Sequence, residues 1–249
     1  MKITVSKTRR ESGKEAAALG AELIRQAIVR NGNANLIMAT GASQFDMLEH
    51  LATLPVEWKH TNCFHLDEYI GLPMSHGASF RKYLRERFVD EVHPGRFNYV
   101  NGEADPEKEC KRLGALISNV TIDVAFVGIG ENTHLAFNDP PADFQVEYPY
   151  IVVTLDEACR RQQLNEGWFD SFESVPQQAI SMSVKQILKS NHIIAVVPDK
   201  RKAQAVQLTV NSKIDPMVPA SILRTHGNTT LFLDEASASL IELADEHKK

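Results

Sequence analysis

Short runs of apolar and β-branched residues alternate along the chain with longer segments in which apolar residues recur at helical spacing. This alternation is typical of a mostly parallel sheet whose strands are joined by crossover helices. The runs that predict strands are Asn35–Thr40, Thr61–Leu66, Thr121–Val127, His192–Val197 and Thr229–Leu233. We therefore predict a layered α/β fold with a mostly parallel sheet and helices on both faces.

The segments between these runs predict the helices. Glu11–Arg30 places its apolar residues on one side, as expected of a helix that packs on a sheet. A further helix is predicted to begin near Gln44, and the others at Ser79–Val89, Pro106–Ile117, Lys200–Val210 and Ala236–His247. The Pro140–Pro149 segment is the best candidate for a domain boundary, but strand signals continue on both sides of it. We predict a single domain over residues 1–249.

Composition narrows the possible partners and location. The formal net charge of −5 argues against nucleic acid as a partner, and no segment approaches the roughly 18 apolar residues that a membrane helix needs. Cys63, Cys110 and Cys159 are odd in number, far apart and in no paired motif, which argues against a disulfide framework or a cysteine-based zinc site. A reduced, cytoplasmic setting is predicted.

The first polar turn, Ala39–Gln44, follows a strand at the edge where parallel sheets bind ligands. Gly41 allows close backbone approach, and the hydroxyl groups of Thr40 and Ser43 can donate hydrogen bonds to an anion such as phosphate. The alternative is a plain helix cap in which Ser43 satisfies the first turn. The turn alone does not decide between them.

The second segment, Leu66–Leu72, places the adjacent acids Asp67 and Glu68 after a strand. A general base needs burial or a like-charged neighbour to raise its affinity for a proton, and this pair can supply either. A solvated acidic turn is the commoner outcome for such a pair. We predict a loop over Asp67–Leu72.

The third segment, Gly128–Pro140, concentrates the most polar chemistry. His134 can transfer protons near neutral pH, and Asp139 or Asn132 can fix its tautomer. The alternative is a glycine turn followed by a hydrogen-bonded packing histidine. A metal site that joins His134 to Asp139, Glu131 or His65 is weakly indicated, because no two histidines have a metal-binding spacing.

Taken together and in order, the segments ATGAS, LDEYIGL and GIGENTHLAFNDP closely resemble the glucosamine-6-phosphate deaminase (isomerase) family. Val197–Ala203 and Ala220–His226 extend the resemblance over almost the whole chain. The resemblance implies a Rossmann-like fold and a reaction that converts glucosamine 6-phosphate to fructose 6-phosphate and ammonia. It implies no cofactor and no metal, and its partner is a small-molecule sugar phosphate.

The resemblance also implies roles for individual residues. Asp67 would move a proton from C2 to C1 of the open-chain sugar, and His134 would protonate the ring oxygen, oriented by Asp139 and Asn132. Lys202 would neutralise the phosphate. The remaining phosphate-binding residues would be Thr40, Gly41, Ala42 and Ser43.

Several positions depart from the family pattern. Thr133 stands where the family usually has glycine, and Asp139 stands where it usually has glutamate, which shortens the link to His134 by one carbon. The turn ends in Ala-Ser-Gln rather than the usual Ser/Gly-Thr-Pro. The family's phosphate-binding arginine falls near Asn165, with Arg160 or Arg161 as possible substitutes. These departures affect the expected substrate more than the expected fold.

The alternatives are a lactonase related to the 6-phosphogluconolactonases, which share this fold, and a non-catalytic sugar-phosphate-binding protein. LDEYIGL and AFNDP favour the deaminase. We classify the predicted enzyme as a hydrolase and isomerase of amino-sugar catabolism. The sequence is compatible with a homo-oligomer.

Overall fold

The computed structural model describes residues 1–242, and a parallel sheet of seven strands forms its centre. Every pairing in this sheet is parallel. In spatial order the strands are β1 (Lys2–Ser6), β10 (Thr229–Asp234), β9 (His192–Val196), β6 (Val124–Val127), β2 (Ala34–Met38), β3 (Thr61–His65) and β5 (Arg96–Asn98).

Helices cover both faces of this sheet. They are α1 (Arg9–Asn31), α2 (Phe45–Thr53), α3 (Phe80–Leu84), α4 (Asp90–Val92), α5 (Pro106–Ile117), α6 (Glu157–Asn165), α7 (Val184–Leu188) and α8 (Ala203–Asn211). Along β2, Leu36 and Met38 pack in the apolar cluster of α1 and α2, whereas Ile37 packs in that of α5 and α8. The predicted α/β fold, with a mostly parallel sheet between two helical layers, is confirmed.

A second, antiparallel sheet lies beside the first. It consists of β4 (Asp67–Tyr69), β8 (Gln178–Met182) and β7 (Tyr150–Thr154), in that order. The prediction of a loop over Asp67–Leu72 is wrong for its first three residues, because Asp67 pairs with Ser181 of β8. The sequence gives no local sign of a partner so distant in the chain.

All the predicted central strands are present, with small differences at their ends. The helix over Pro106–Ile117 matches α5, and the one over Ser79–Val89 is α3 followed by a π-helical segment, Arg85–Val89. Lys200–Val210 is a short 3-10 turn that continues into α8. The sequence did not predict β1, β5, β7 or β8.

The predicted C-terminal helix, Ala236–His247, is wrong for its first residues, which form turns. There, the Asp234 carboxylate accepts a hydrogen bond from the Ser237 backbone amide, and the Asp234 backbone amide donates one to the Ser237 hydroxyl oxygen. These reciprocal bonds between residues three apart have the pattern of a helix N-terminal capping box, yet residues 235–240 form only turns. Residues 243–247 of this prediction lie outside the described residues, and the single domain over 1–249 stays a prediction.

None of the helices in residues 1–242 has the length and apolar character needed to cross a membrane.

The strand register explains where the polar segments meet. Met38 pairs with His65, and Val127 pairs with Ala195, so these strands end at one level. The Gln44 side chain ties this edge together by donating hydrogen bonds to the carbonyl groups of Val127 and Val196, at 3.5 and 3.3 Å.

Candidate active site

A single cavity at this edge brings together residues from all three predicted segments. Its lining includes the predicted residues Thr40, Gly41, Ala42, Ser43, Asp67, His134 and Lys202. Asp139 and Asn132 are not part of the lining: Asp139 bonds the His134 ring from behind, and Asn132 bonds Asp139. The cavity is therefore the candidate active site.

Asp67 begins β4 directly after β3, and its carboxyl group is buried in the cavity wall. Burial, together with the charge of Glu68, raises the pKa of Asp67 to about 8. A carboxylate with such a high proton affinity has the property that a general base requires near neutral pH. The alternative of a solvated acidic turn is wrong.

The neighbouring Glu68 has a structural role. Its buried carboxylate accepts hydrogen bonds from the Ser79 hydroxyl at 2.9 Å and from the backbone amides of Phe80 and Arg81 at 3.2 and 2.9 Å. The Arg81 guanidinium lies 3.4 Å away. Glu68 thus anchors the start of α3 and adds a negative charge beside Asp67.

His134 and Asp139 form a hydrogen-bonded pair. The His134 Nδ1 and the Asp139 Oδ1 are 3.0 Å apart, and the Asn132 amide donates to the same oxygen at 2.9 Å. Burial opposes ionisation of Asp139, but the hydrogen bond and charge of His134 outweigh it, so that the pKa lies below its usual value. An ionised Asp139 accepts a hydrogen bond from Nδ1–H, so Nε2 is the ring nitrogen that remains available for proton transfer. Asp139, one carbon shorter than the glutamate usual at this position, therefore still reaches His134.

The loop around His134 is shaped by two unusual backbone positions. A Cβ atom on Gly130 would lie 2.3 Å from the His134 ring, so only glycine allows the ring to sit there. Thr133 has a φ of 73°, which a β-branched residue rarely adopts, and its hydroxyl is buried with no partner among the described residues. The departure from the family's glycine therefore carries a conformational cost.

The turn after β2 is held from behind by side chains. Gly41 has a φ of 93°, and the following residues Ala42–Gln44 form a 3-10 turn that leads into α2. Tyr83 donates its hydroxyl hydrogen to the Gly41 carbonyl at 3.0 Å, and Arg9 donates to the Ala42 carbonyl at 2.9 Å. The N-cap positions are Gly41 and Gln44, and neither side chain caps a helix. The alternative of a Ser43 cap is wrong.

Lys202 is 3% exposed and lines the cavity. Burial lowers the pKa of this ammonium group, against the opposing effect of Glu166 and Glu131. Those two carboxylates lie 3.9 and 3.6 Å from Arg201, and within residues 1–242 Lys202 itself forms no ion pair. A buried cation without a counter-ion favours an anionic ligand.

The possible substitutes for the family arginine lie elsewhere. Arg160 donates hydrogen bonds to the carbonyl groups of Phe172 and Val175, and Arg161 pairs with Glu157. Neither lines the cavity, nor does Asn165.

Sequence reasoning missed the wall that α6 contributes, formed by Gln162, Gln163 and the following Glu166. The only signal was the helical spacing of polar residues after Asp156, which any solvated helix also shows.

One group in residues 1–242 could hold a metal ion. His134, Asp139 and Cys159 offer ligand atoms that all lie within 4.8 Å of one another, a set that differs from the weakly indicated pairings with Glu131 or His65. Burial, reinforced by the charge of Asp139, raises the pKa of the Cys159 thiol well above its usual value, which disfavours the thiolate that binds metals. Asp139 also uses both oxygens as acceptors, from His134 and Asn132 and from the Asp156 amide. This arrangement suits a proton relay better than a metal centre.

A parallel sheet with a small-molecule cavity beyond the carboxyl ends of its strands defines the Rossmann-like class of ligand-binding α/β proteins. The chain belongs to the family of glucosamine-6-phosphate isomerases and 6-phosphogluconolactonases, whose profile matches residues 7–232. It is 34% identical over 241 residues to the glucosamine-6-phosphate deaminase of Exiguobacterium sibiricum, covering 96% of this chain and 93% of that protein.

Solved structures agree with this assignment. The fold is similar to that of a monomeric glucosamine-6-phosphate deaminase, with a TM-score of 0.88 and 31% identity, covering 97% of this chain and 100% of the other. It is also similar to the 6-phosphogluconolactonase of Trypanosoma brucei, with a TM-score of 0.81 over 97% of this chain and 98% of the other. Because that identity is 15%, the second likeness shows the fold alone.

Classification as a hydrolase is wrong. The relatives that match at 33–34% identity over nearly the whole chain are deaminases, whose place is with the isomerases and deaminases of carbohydrate metabolism. The likeness to the solved lactonase structure shows the fold and supports no hydrolytic activity.

Proposed function

We propose that the protein is a glucosamine-6-phosphate deaminase that converts its substrate, with uptake of water, to fructose 6-phosphate and ammonia. One observation carries this proposal: the same cavity is lined by Asp67, a buried carboxyl group with a high proton affinity, and by Lys202, a buried cation with no ion pair in residues 1–242. A ligand with a phosphate at one end and an acidic carbon at the other fits this pair. The deaminase relatives support it.

The first step opens the sugar ring. His134, protonated at Nε2, gives its proton to the ring oxygen as the bond from that oxygen to C1 breaks, and the C1 hydroxyl group loses its proton to solvent. An aldehyde remains at C1. Asp139 stabilises the protonated ring at Nδ1 and keeps it in place, while Asn132 orients Asp139.

The second step moves a proton along the carbon chain. The Asp67 carboxylate removes the proton from C2, the C1 oxygen takes up a proton from solvent, and an enolamine forms. Asp67 then returns its proton to C1, which leaves a protonated imine at C2. Water adds to that carbon and ammonia departs, so the C2 ketone of fructose 6-phosphate remains.

The phosphate group holds the substrate for both steps. Thr40 and Ser43 contribute hydroxyl groups, Gly41 and Ala42 contribute the backbone of the turn, and Lys202 contributes positive charge. Binding energy from this non-reacting end holds C2 against Asp67. Homo-oligomer formation and a cytoplasmic location stay predictions.

The test is ammonia release from glucosamine 6-phosphate by the purified protein, run beside hydrolysis of 6-phosphogluconolactone and a panel of other hexosamine phosphates. We expect ammonia and fructose 6-phosphate in equal amounts. Asp67→Asn removes the base and should abolish turnover while phosphosugar binding persists. Asp170→Asn, an exposed acid, is the matched control. No ammonia from any amino sugar would refute the proposal.

A further inference from the structure

The α6 side of the cavity carries three polar side chains that take no part in the proposed mechanism. Gln162 and Gln163 lie in the last turn of α6, and Glu166 follows it. They form one wall of the cavity that also contains Asp67 and Lys202. A ligand that contacts the base and the lysine therefore also meets this wall.

Two of the three are already occupied by hydrogen bonds within the protein. Gln162 accepts from the Glu131 amide at 2.9 Å and donates to Glu166 at 2.9 Å. Glu166 also accepts from the Trp168 indole at 3.1 Å. These bonds use the polar atoms of Gln162 and fix the Glu166 carboxylate, so both side chains maintain the shape of the wall.

Gln163 differs from its neighbours. It is 6% exposed, and its side-chain oxygen is buried without a hydrogen-bond partner among the residues that the structure describes. A buried amide oxygen without a donor is unfavourable, and native proteins rarely leave one unsatisfied. Since Gln163 lines the cavity, a donor on a bound ligand is a natural partner.

We propose that Gln163 binds a hydroxyl group of the sugar and is a specificity-determining residue for the substrate. This inference rests on the proposed function, because it takes the ligand to be a sugar phosphate. The charged end, which many metabolites share, is recognised by Lys202 and by the phosphate turn, Thr40–Ser43. Gln163 recognises the polyol, and a site built to bond a hydroxyl group strongly rejects analogues that lack it.

The test separates sugar recognition from phosphate recognition in the full-length protein. Fructose 6-phosphate in ammonia-free buffer serves as an unreactive sugar ligand, and inorganic phosphate serves as the reference without a sugar. Gln163→Met keeps the length of the side chain but removes its acceptor. It should weaken fructose 6-phosphate binding about tenfold, as expected for one lost hydrogen bond, and leave inorganic phosphate binding unchanged. Gln163→Glu retains an acceptor and should lose less.

Gln26→Met, the same change at an exposed helical position on α1, is the control and should alter neither affinity. Thermal unfolding of each variant checks that the fold is intact. Equal losses for both ligands, or no loss for either, would overturn the inference.

The binding result also separates this inference from the proposed function. If the wild-type protein released no ammonia but Gln163→Met still lost only its sugar affinity, the deaminase proposal alone would fail. If ammonia release were normal and Gln163→Met bound both ligands like wild type, this inference alone would fail.

Discussion

At the scale of residues, two adjacent carboxyl groups have different roles because their surroundings differ. Glu68 is surrounded by donors, including the Ser79 hydroxyl and the amides of Phe80 and Arg81. No donor to the Asp67 carboxyl group is found among the described residues, and its burial together with the charge of Glu68 raises its pKa to about 8. A high proton affinity is useful for a base and costly for folding.

This contrast predicts the pH dependence of catalysis. In the proposed mechanism Asp67 acts in its ionised form and His134 in its protonated form. The plot of kcat/KM against pH should therefore be bell-shaped, with a rise that reflects ionisation of Asp67, whose pKa is about 8, and a fall that reflects loss of the proton from His134. Steady-state rates between pH 6 and pH 9.5 check this. A profile that is flat through this window would show that another group is the base.

The same shift predicts a pH-dependent stability. Between the ordinary pKa of 3.8 and about 8, folded Asp67 holds a proton that the unfolded chain has released, so its contribution to stability is complete below 3.8 and is lost as pH rises through about 8. Asp67→Asn should therefore gain melting temperature relative to wild type on going from pH 4 to pH 9. A gap that narrows with rising pH would contradict the sign.

Thr133 provides a second prediction at this scale. Its φ of 73° and its hydroxyl group, which has no hydrogen-bond partner within residues 1–242, both disfavour threonine, and such backbone strain costs on the order of 1–3 kcal/mol. Glycine removes both costs but loses about 0.5–1 kcal/mol to its freedom in the unfolded chain. Thr133→Gly should raise the free energy of unfolding by about 1 kcal/mol in urea titrations.

Thr133→Ala is the matched variant, because it removes the hydroxyl group but keeps a Cβ atom at the strained position. It should recover only part of the gain. A Thr133→Gly variant less stable than Thr133→Ala would show that the backbone here is not strained.

At the scale of elements, Arg9 joins three parts of the site from the start of α1. Its guanidinium donates to Asp46 of α2 at 2.6 Å, to Asp199 before Lys202 at 3.0 Å and to the Ala42 carbonyl of the phosphate turn at 2.9 Å. Asp199 has a φ of 79°, and its amide donates to Asp234. Arg9 therefore fixes the phosphate turn relative to the segment Asp199–Lys202.

Loss of this link should affect substrate binding more than chemistry. Arg9→Ala should raise KM about tenfold with little change in kcat, since the residues proposed to bind phosphate would shift while Asp67 and His134 would not. Arg9→Lys should recover little, because an ammonium group cannot span three acceptors in fixed directions. Arg10→Ala, an exposed neighbour, is the control. An equal fall in kcat would place Arg9 in the chemistry.

Which elements the sequence predicted depends on how each is buried. β2 is buried along its whole length and reads as one apolar run, whereas β1 lies at the edge and is mostly half-exposed, so it carries a weaker signal. β4 and β8 form through a pairing of Asp67 with Ser181 that no local pattern reveals. The order of the three polar segments located the cavity, but the α6 wall resembled any polar helix face.

At the scale of the whole molecule, the buried charge of Lys202 lowers the stability of the fold but favours binding of an anion. The chain carries a formal net charge of −5, yet this cation is buried in the cavity without an ion pair in the described part of the chain. Burial lowers the pKa of Lys202, which means that the folded protein disfavours its charged form relative to the unfolded chain. The lysine thus lowers stability in the absence of an anion.

Lys202→Met tests this opposition, because methionine fills similar space without charge. The variant should melt at a higher temperature than wild type in phosphate-free buffer. Wild type at 100 times its Kd for fructose 6-phosphate should gain about 2.7 kcal/mol of stability, and the variant should gain much less at that concentration because its Kd is higher. Lys200→Met, at an exposed position two residues away, should behave like wild type in both respects. A less stable Lys202→Met that kept its full gain from the ligand would mean that Lys202 supports the fold rather than the phosphate.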